Sequence, residues 1–202
     1  LTDAPWVAGP EWAGDRCFIV GSGPSVAQQN LEVLRGRRVI AVNSSWPLVP
    51  FADFLLFGDG RWWRQYRNDA LAGFPGRIVT CDWGSVHSRV LRMRRVKPPG
   101  LASRNDTLAM RRTSLSAAIN LAVHLGVKSI VLIGIDNKVA TDGRTHFHDR
   151  HPWDQITRCW QEQRDDLETL VVPLRDRSIE TVNASPGSAL PCWPIVTLED
   201  YL

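Results

Sequence analysis

The stretch Cys17-Phe18-Ile19-Val20-Gly21-Ser22-Gly23-Pro24-Ser25 constrains this chain more than any other, because an apolar run breaks directly into a glycine-rich turn. A buried strand that ends this way can deliver a phosphate site. Gly21 and Gly23 can take positive φ and admit another group close to the backbone, and Ser25 can cap a helix that begins near Val26. A helix start offers free N–H groups and a partial positive charge, which suits an anion. The dinucleotide fingerprint asks for a third glycine where this chain has Val26, and for an acidic residue where the second strand, Val39-Ile40-Ala41-Val42, ends in Asn43. A neutral amide there and Pro24 in the turn point away from NAD and towards a nucleotide held by amides and hydroxyls. The same pattern also suits a strand-to-helix turn with no ligand.

The rest of the chain repeats the theme. A helix is expected from about Val26 to Leu34, stopped by Gly36, and Arg37-Arg38 leads into the second strand. Pro47 and Pro50 mark a loop, and Phe54-Leu55-Leu56-Phe57 reads as a third strand ending in Gly58-Asp59-Gly60. A helix over Arg61 to Leu71 and a strand over Arg77-Ile78-Val79-Thr80 follow. Thr113-Ser114 introduces an apolar helix, Leu115 to Leu125, closed by Gly126. Lys128 to Ile133 is the clearest strand and runs into Gly134-Ile135-Asp136. A helix from about Asp154 to Leu170, a strand over Ile179 to Val182, the turn Asn183-Ala184-Ser185-Pro186-Gly187-Ser188 and a helical turn at Leu198 to Leu202 complete the chain. Strands that alternate with helices, with polar clusters after successive strands, predict a Rossmann-like, doubly wound, mainly parallel α/β sheet. At 202 residues this is one domain, 1–202. Open sheets of this kind bind ligands beyond the carboxyl ends of their strands. That rule selects Gly134, Asp59, Asp136, Asn183 and Ser185 as candidates beside the glycine turn.

Between about 82 and 112 the periodicity fades and charge takes over. From His87 to Arg112 there are eight basic residues against Asp106 alone, a local +7 in a chain whose net charge is +3. A basic loop of this length is expected to act as a lid or as a contact for phosphates or a polyanion such as DNA, with Arg94, Arg95 and Arg112 the candidate contacts. A solvated basic loop fits equally well. Nine tryptophans exceed what a core this size requires, and Trp62, Trp63, Trp83, Trp153 and Trp193 can offer flat faces to a sugar or a base. No apolar run is long enough to cross a bilayer and the first residues lack a signal-like core, so no membrane partner and a cytoplasmic location are expected. The four cysteines, Cys17, Cys81, Cys159 and Cys192, are too far apart for a zinc or disulfide pattern and read as reduced packing residues.

Three of the five histidines, His146, His148 and His151, fall within six residues. They suit a metal site, loop capping or, in the preferred reading, an imidazole base beside the nucleotide, with His146 near the acceptor. His124, on the apolar helix, reads as a satisfied core histidine. Asp59 and Asp136 together can hold Mg²⁺ with a nucleoside triphosphate, or Asp136 can accept backbone or ribose hydrogen bonds and never touch metal. Thr113 and Ser114, at a helix start, suit phosphate or sugar contacts as well as an ordinary cap.

The ordered set Ile-Val-Gly-Ser-Gly-Pro-Ser (19–25), Ala-Val-Asn (41–43), Thr-Ser-Leu-Ser-Ala-Ala (113–118), Leu-Gly-Val-Lys-Ser-Ile-Val-Leu-Ile-Gly-Ile-Asp (125–136) and Val-Asn-Ala-Ser-Pro (182–186) resembles a known superfamily. It is similar to the small bacterial sialyltransferases that use a cytidine-monophosphate sugar and to the related DUF115 group, which includes archaeal pterin diphosphokinases. Gly143 to His148 with His151-Pro152, and Asn183 to Leu190, look like prophage-encoded members. The resemblance implies a nucleotide-sugar transferase that needs no metal. It assigns Asn43, Thr113 and Ser114 to the nucleotide and a base to His151, with His148 next. Ser22 replaces an amide of that family, Leu115 replaces a glycine, and the tyrosines that bind the leaving phosphate have no counterpart between Asp136 and His151.

The expected activity is therefore glycosyl transfer from a nucleotide-sugar to a saccharide or, for a phage protein, to a hydroxylated DNA base. Two alternatives stand beside it: a Mg²⁺-dependent diphosphokinase of a hydroxymethyl heterocycle, and a non-catalytic nucleotide- or DNA-binding protein.

Overall fold

A computed structural model describes residues 4–97, 100–149, 151–153 and 159–202. The apolar runs form β1 (Arg16–Val20), β2 (Arg38–Val42), β3 (Phe54–Phe57) and β4 (Arg77–Thr80), with α1 (Gly60–Gly73) between the last two. Three short strands follow: β5 (Val90–Arg92), β6 (Arg94–Val96) and β7 (Thr107–Ala109). The chain then runs through α2 (Ser114–His124), β8 (Ser129–Ile133), α3 (Trp160–Glu168), α4 (Val171–Asp176) and β9 (Glu180–Asn183). Seven strands make one sheet in the order β5-β4-β3-β2-β1-β8-β9, and every neighbouring pair is parallel. This is the doubly wound, Rossmann-like α/β architecture that the alternation of elements predicts.

The strands lack hydrophobic–polar alternation because both faces of the sheet are covered. Cys17 and Ile19 of β1, Ile40 of β2 and Leu56 of β3 pack with Leu115, Ile119 and Leu121 of α2 and Leu174 of α4. Their neighbours in sequence, Phe18, Val20, Val39 and Leu55, point the other way and meet Val26, Leu34, Trp62, Trp63 and Phe74. Each large side chain so buried contributes about 1.5–3 kcal/mol, so both layers hold the sheet.

The strand order reverses at β1. Its neighbour β2 leads towards β5, and its other neighbour β8 leads towards β9. A crevice therefore opens beyond the carboxyl ends of β1 and β8, where ligands of such sheets bind.

Two expectations fail here. No α-helix spans Val26 to Leu34; the chain forms two 3₁₀ turns, Pro24–Gln28 and Leu31–Leu34, with Gly23 rather than Ser25 at the first N-cap. The break falls at Asn30, whose side chain accepts from the Glu32 N–H and starts the second turn. The segment from 82 to 112 is not one structureless basic loop. It adds β5 to the edge of the sheet and pairs β6 with β7 in a separate parallel ladder. Its strands have three residues each, too few to show a period. Pro47 lies inside another 3₁₀ turn, Asn43–Leu48, and Pro50 falls beyond its end. The start of the helix expected from Asp154 to Leu170 lies outside the described residues; its remainder is α3, and α4 is a further helix beyond the expected end. Among the described residues no helix is long and apolar enough to cross a membrane.

Candidate functional site

A cleft of about 430 Å³ lies over the carboxyl ends of β1, β2, β3 and β8. Gly21, Ser22, Gly23, Asn43, Asp59, Thr113, Ser114, Gly134, Asp136, His146 and His151 all line it, with Arg112 at the start of α2. Groups from six separate parts of the sequence thus meet in one place.

The glycine turn is tight because the ends of β1 and β8 touch. Gly21 and Gly23 donate their N–H groups to the carbonyls of Ile133 and Gly134 at 2.7 and 2.8 Å. A Cβ on Gly23 would stand 2.3 Å from Asp136 Oδ2 and 2.7 Å from the Gly134 oxygen, and one on Gly21 would stand 2.4 Å from Ile135 Cδ1. The positive φ expected of these two glycines is absent: Gly23 is extended at φ −64°, and the left-handed residue of the pair of turns is Gly134 at +67°. The glycines serve the approach of one strand end to another.

The anion at this turn belongs to the chain itself. Asp136 is 4% exposed, and its Oδ2 accepts the Ser25 N–H at 2.8 Å, the donor that a bound phosphate would otherwise claim. Its Oδ1 is buried without a hydrogen-bond partner, as are Asn43 Oδ1 and Ser25 Oγ. Asn43 holds a left-handed φ of +52°, a conformation that asparagine tolerates better than most residues. The floor of the cleft therefore offers unmet acceptors, which a ligand bearing hydroxyl or amino hydrogens would satisfy. Pro24 and Ser25 do not line the cleft.

Asn183 and Ser185 stand one layer behind. Both are fully buried: Ser185 Oγ accepts the Ile135 N–H at 2.8 Å, and Asn183 Nδ2 donates to the Ile135 carbonyl at 3.3 Å and to Ser188 Oγ at 3.1 Å. They hold the loop after β8 in place and do not face the cleft. Asp59 lies at its edge, half exposed, where Oδ1 accepts the Arg61 N–H at 2.8 Å and caps α1. Thr113 caps α2, its Oγ1 accepting from the Leu115 N–H at 3.2 Å.

The basic residues divide. Arg94 pairs with Asp106 at 3.9 Å, and Arg104 pairs with the same carboxylate at 2.8 Å. Arg95 donates to the carbonyls of Met110 and Arg111 at 2.9 and 3.0 Å. Neither Arg94 nor Arg95 lines the cleft: Arg94 turns to Asp106, and Arg95 stands behind the cleft wall, bonded to the backbone of Met110 and Arg111, which do line it. Among the described residues, the arginines and lysines that do line it are Arg61, Arg111, Arg112 and Lys138, with Arg112 held 3.0 Å from Glu162.

The histidine-rich connection after β8 forms the opposite wall. The Phe147 N–H donates to the Ser22 carbonyl at 3.0 Å and ties the connection to the glycine turn. The rings of His146, His148 and His151 lie 4.7–5.6 Å apart, tilted or edge to face. His151 stacks on Trp153 at 4.8 Å with 15° between planes, and the Arg61 guanidinium lies 4.3 Å over that indole. Tyr66, from the second turn of α1, brings its hydroxyl within 2.9 Å of His151 Nδ1. Burial pushes His151 down to about 4, helped by His146 and Arg61 and opposed by Asp59. Burial also lowers His146. Both rings are neutral at physiological pH. His148 packs against Phe147 and does not line the cleft. Among the described residues no three His, Cys, Asp or Glu side chains are arranged to hold a metal ion.

Tyr66, Arg61, Lys138 and Met110 join the site without belonging to any of the sequence motifs. A signal for two of them existed, since Arg61 and Tyr66 sit on a helix that starts at the candidate Asp59. Of these tryptophans, Trp63 and Trp193 are core, Trp62 is buried yet lines the cleft, Trp83 lies under Arg92, and Trp153 stands in the cleft. His124 is the buried core histidine expected of it, with Nε2 2.9 Å from the Thr107 carbonyl.

No family model matches the chain, and no curated protein sequence matches it. Among solved structures, the MAf glycosyltransferase from Magnetospirillum magneticum AMB-1 superposes with a TM-score of 0.67 at 15% identity. The match covers 98% of this chain and 36% of that one, so this chain has the length of about one third of the larger enzyme. At that identity the likeness establishes the fold: this chain and part of a glycosyltransferase share one sheet architecture.

Proposed function

We propose that the chain is a glycosyltransferase that takes its donor from a nucleotide-sugar. The observation that carries the reading is the convergence of Gly23, Asn43, Ser114, Asp136 and His151 on one cleft at the reversal of strand order. The unmet acceptors on Asn43 and Asp136 suit the hydroxyl and amino hydrogens of a nucleoside. Because Asp136 already occupies the donor of the glycine turn, the phosphate belongs at the start of α2, beside Thr113, Ser114, Arg111 and Arg112. That the fold is shared with a glycosyltransferase supports the same reading.

In the reaction, the acceptor hydroxyl oxygen bonds to the anomeric carbon while the bond from that carbon to the phosphate oxygen breaks. The electron pair leaves with the nucleotide, whose charge is met by the arginines and the α2 amides, and the acceptor proton passes to His151. These cations let the step proceed without a metal. The acceptor is a saccharide or a hydroxylated DNA base of the kind a phage enzyme would modify. Arg94 and Arg95 already hold partners in the chain, Asp106 and the Met110 and Arg111 carbonyls, which favours the smaller acceptor.

The test is a panel of nucleotide-sugars followed by thermal shift and by turnover, with and without a chelator. His151→Ala is expected to keep donor binding and lose about 10²-fold or more in turnover. Unchanged turnover removes His151 as the base. Activity that vanishes with chelator favours instead a Mg²⁺-dependent diphosphokinase, for which Asp59 and Asp136 are the ligands available. Nucleotide binding without transfer leaves the non-catalytic alternative.

A further inference from the structure

Tyr66 belongs to no part of the nucleotide site and stands on α1, remote in sequence from the histidine-rich connection, yet its hydroxyl lies 2.9 Å from His151 Nδ1. A neutral imidazole carries one hydrogen, and the two ring nitrogens cannot both accept. A ring that takes a proton on Nε2 must keep its own hydrogen on Nδ1, and free imidazole side chains prefer the opposite tautomer. Something must hold the Nδ1–H form, and the hydrogen bond made by Nδ1 is what sets this choice.

We propose that Tyr66 is the positioning residue for His151: its phenol oxygen accepts the Nδ1–H, leaving Nε2 as the ring's proton acceptor in the cleft. The inference rests on the reading of His151 as the base. Three contacts fix the ring at once. Trp153 stacks on it at 4.8 Å, His148 meets it edge to face at 4.7 Å, and Tyr66 stops rotation about the stack by binding one nitrogen. Tyr66 is itself held against Trp62, 5.6 Å between rings, on the buried side of α1. The charged and titratable groups that face His151 among the described residues are Arg61 and Asp59 at the start of α1, Tyr66 on the same helix, and His146 and His148 on its own connection. Arg61 disfavours a cationic ring. When the acceptor's proton arrives on Nε2, the Nδ1–H···O bond to Tyr66 becomes charge-assisted and strengthens, an effect absent before the transfer.

The experiment uses the whole chain with ¹⁵N-labelled histidine. The His151 ring nitrogens are assigned by their loss in His151→Ala, and the tautomer is read at neutral pH from their shifts. The wild type is expected to carry its hydrogen on Nδ1, and Tyr66→Phe to revert to the Nε2–H form. Tyr66→Phe is also expected to lower kcat by about tenfold or more with the KM for the donor unchanged. A wild-type ring with hydrogen on Nε2 overturns the proposal, and does so even if Tyr66→Phe fails to fold. So does a Tyr66→Phe protein with wild-type tautomer and kcat. Full turnover in His151→Ala, with an Nδ1–H ring in the wild type, instead removes the base and leaves the control of the tautomer by Tyr66 standing.

Discussion

At Gly23 there is no room for a side chain: a methyl group would sit 2.3 Å from a carboxylate oxygen and 2.7 Å from a backbone carbonyl that cannot move without parting β1 from β8. Gly23→Ala is therefore expected to cost about 2–3 kcal/mol, read as a fall in the urea midpoint at constant slope. Asp136 supplies the complementary test. Removing its carboxylate leaves the Ser25 N–H without its acceptor, so Asp136→Ala should cost about 2 kcal/mol. Asp136→Asn keeps an oxygen at that position and should retain most of the stability. Equal losses in the two variants would show that the hydrogen bond to Ser25 is not what Asp136 contributes.

At the scale of elements, the start of α2 bears two burdens, capping a helix and facing the cleft. Thr113→Ala removes the side-chain acceptor of the Leu115 N–H and is expected to cost about 1 kcal/mol by denaturant titration. The basic stretch is divided by the strands inside it. Arg94 rides on β6 and pairs with Asp106, whereas Arg111 and Arg112 follow β7 and reach the cleft. Arg111→Ala with Arg112→Ala should weaken nucleotide binding about tenfold or more in a titration, while Arg94→Ala should leave it unchanged. An equal effect of Arg94→Ala would mean that charge over the whole surface, and not contact, governs binding.

For the molecule as a whole, the buried imidazoles give stability a direction with pH. His151, His146 and His124 are all held below the ordinary histidine value of 6.5, each chiefly by burial. Below that value the unfolded chain binds protons that the folded chain refuses, so stability is full above about 6.5 and declines as pH falls towards the His151 value of about 4. The urea midpoint should therefore be lower near about pH 5 than at neutral pH, and His151→Phe should reduce the difference. A midpoint independent of pH over this window would contradict the burial of these rings. The carboxylates of Asp106, buried, and Asp142, half exposed, are lowered by their arginine partners and act at more acid pH.

What the amino-acid order determined by itself is the architecture. Apolar strands of four or five residues, each closed by a polar or glycine turn and alternating with helices, admit a parallel sheet covered on both faces and little else. The same order placed Asn43, Asp59, Thr113, Ser114 and Asp136 at element ends, and in such a sheet element ends share one edge. Tertiary structure alone decided what those residues touch. That Asp136 fills the glycine turn, that Asn183 and Ser185 stand behind the cleft, that Arg94 turns to Asp106 while Arg95 backs the cleft wall and that Tyr66 meets His151 all depend on strand order and on strands too short to show a period. The physical reason is range: propensity and pattern act over a few residues, whereas these contacts join groups up to 111 positions apart, as Ser25 and Asp136 are, and exist only once the core has brought the strands together.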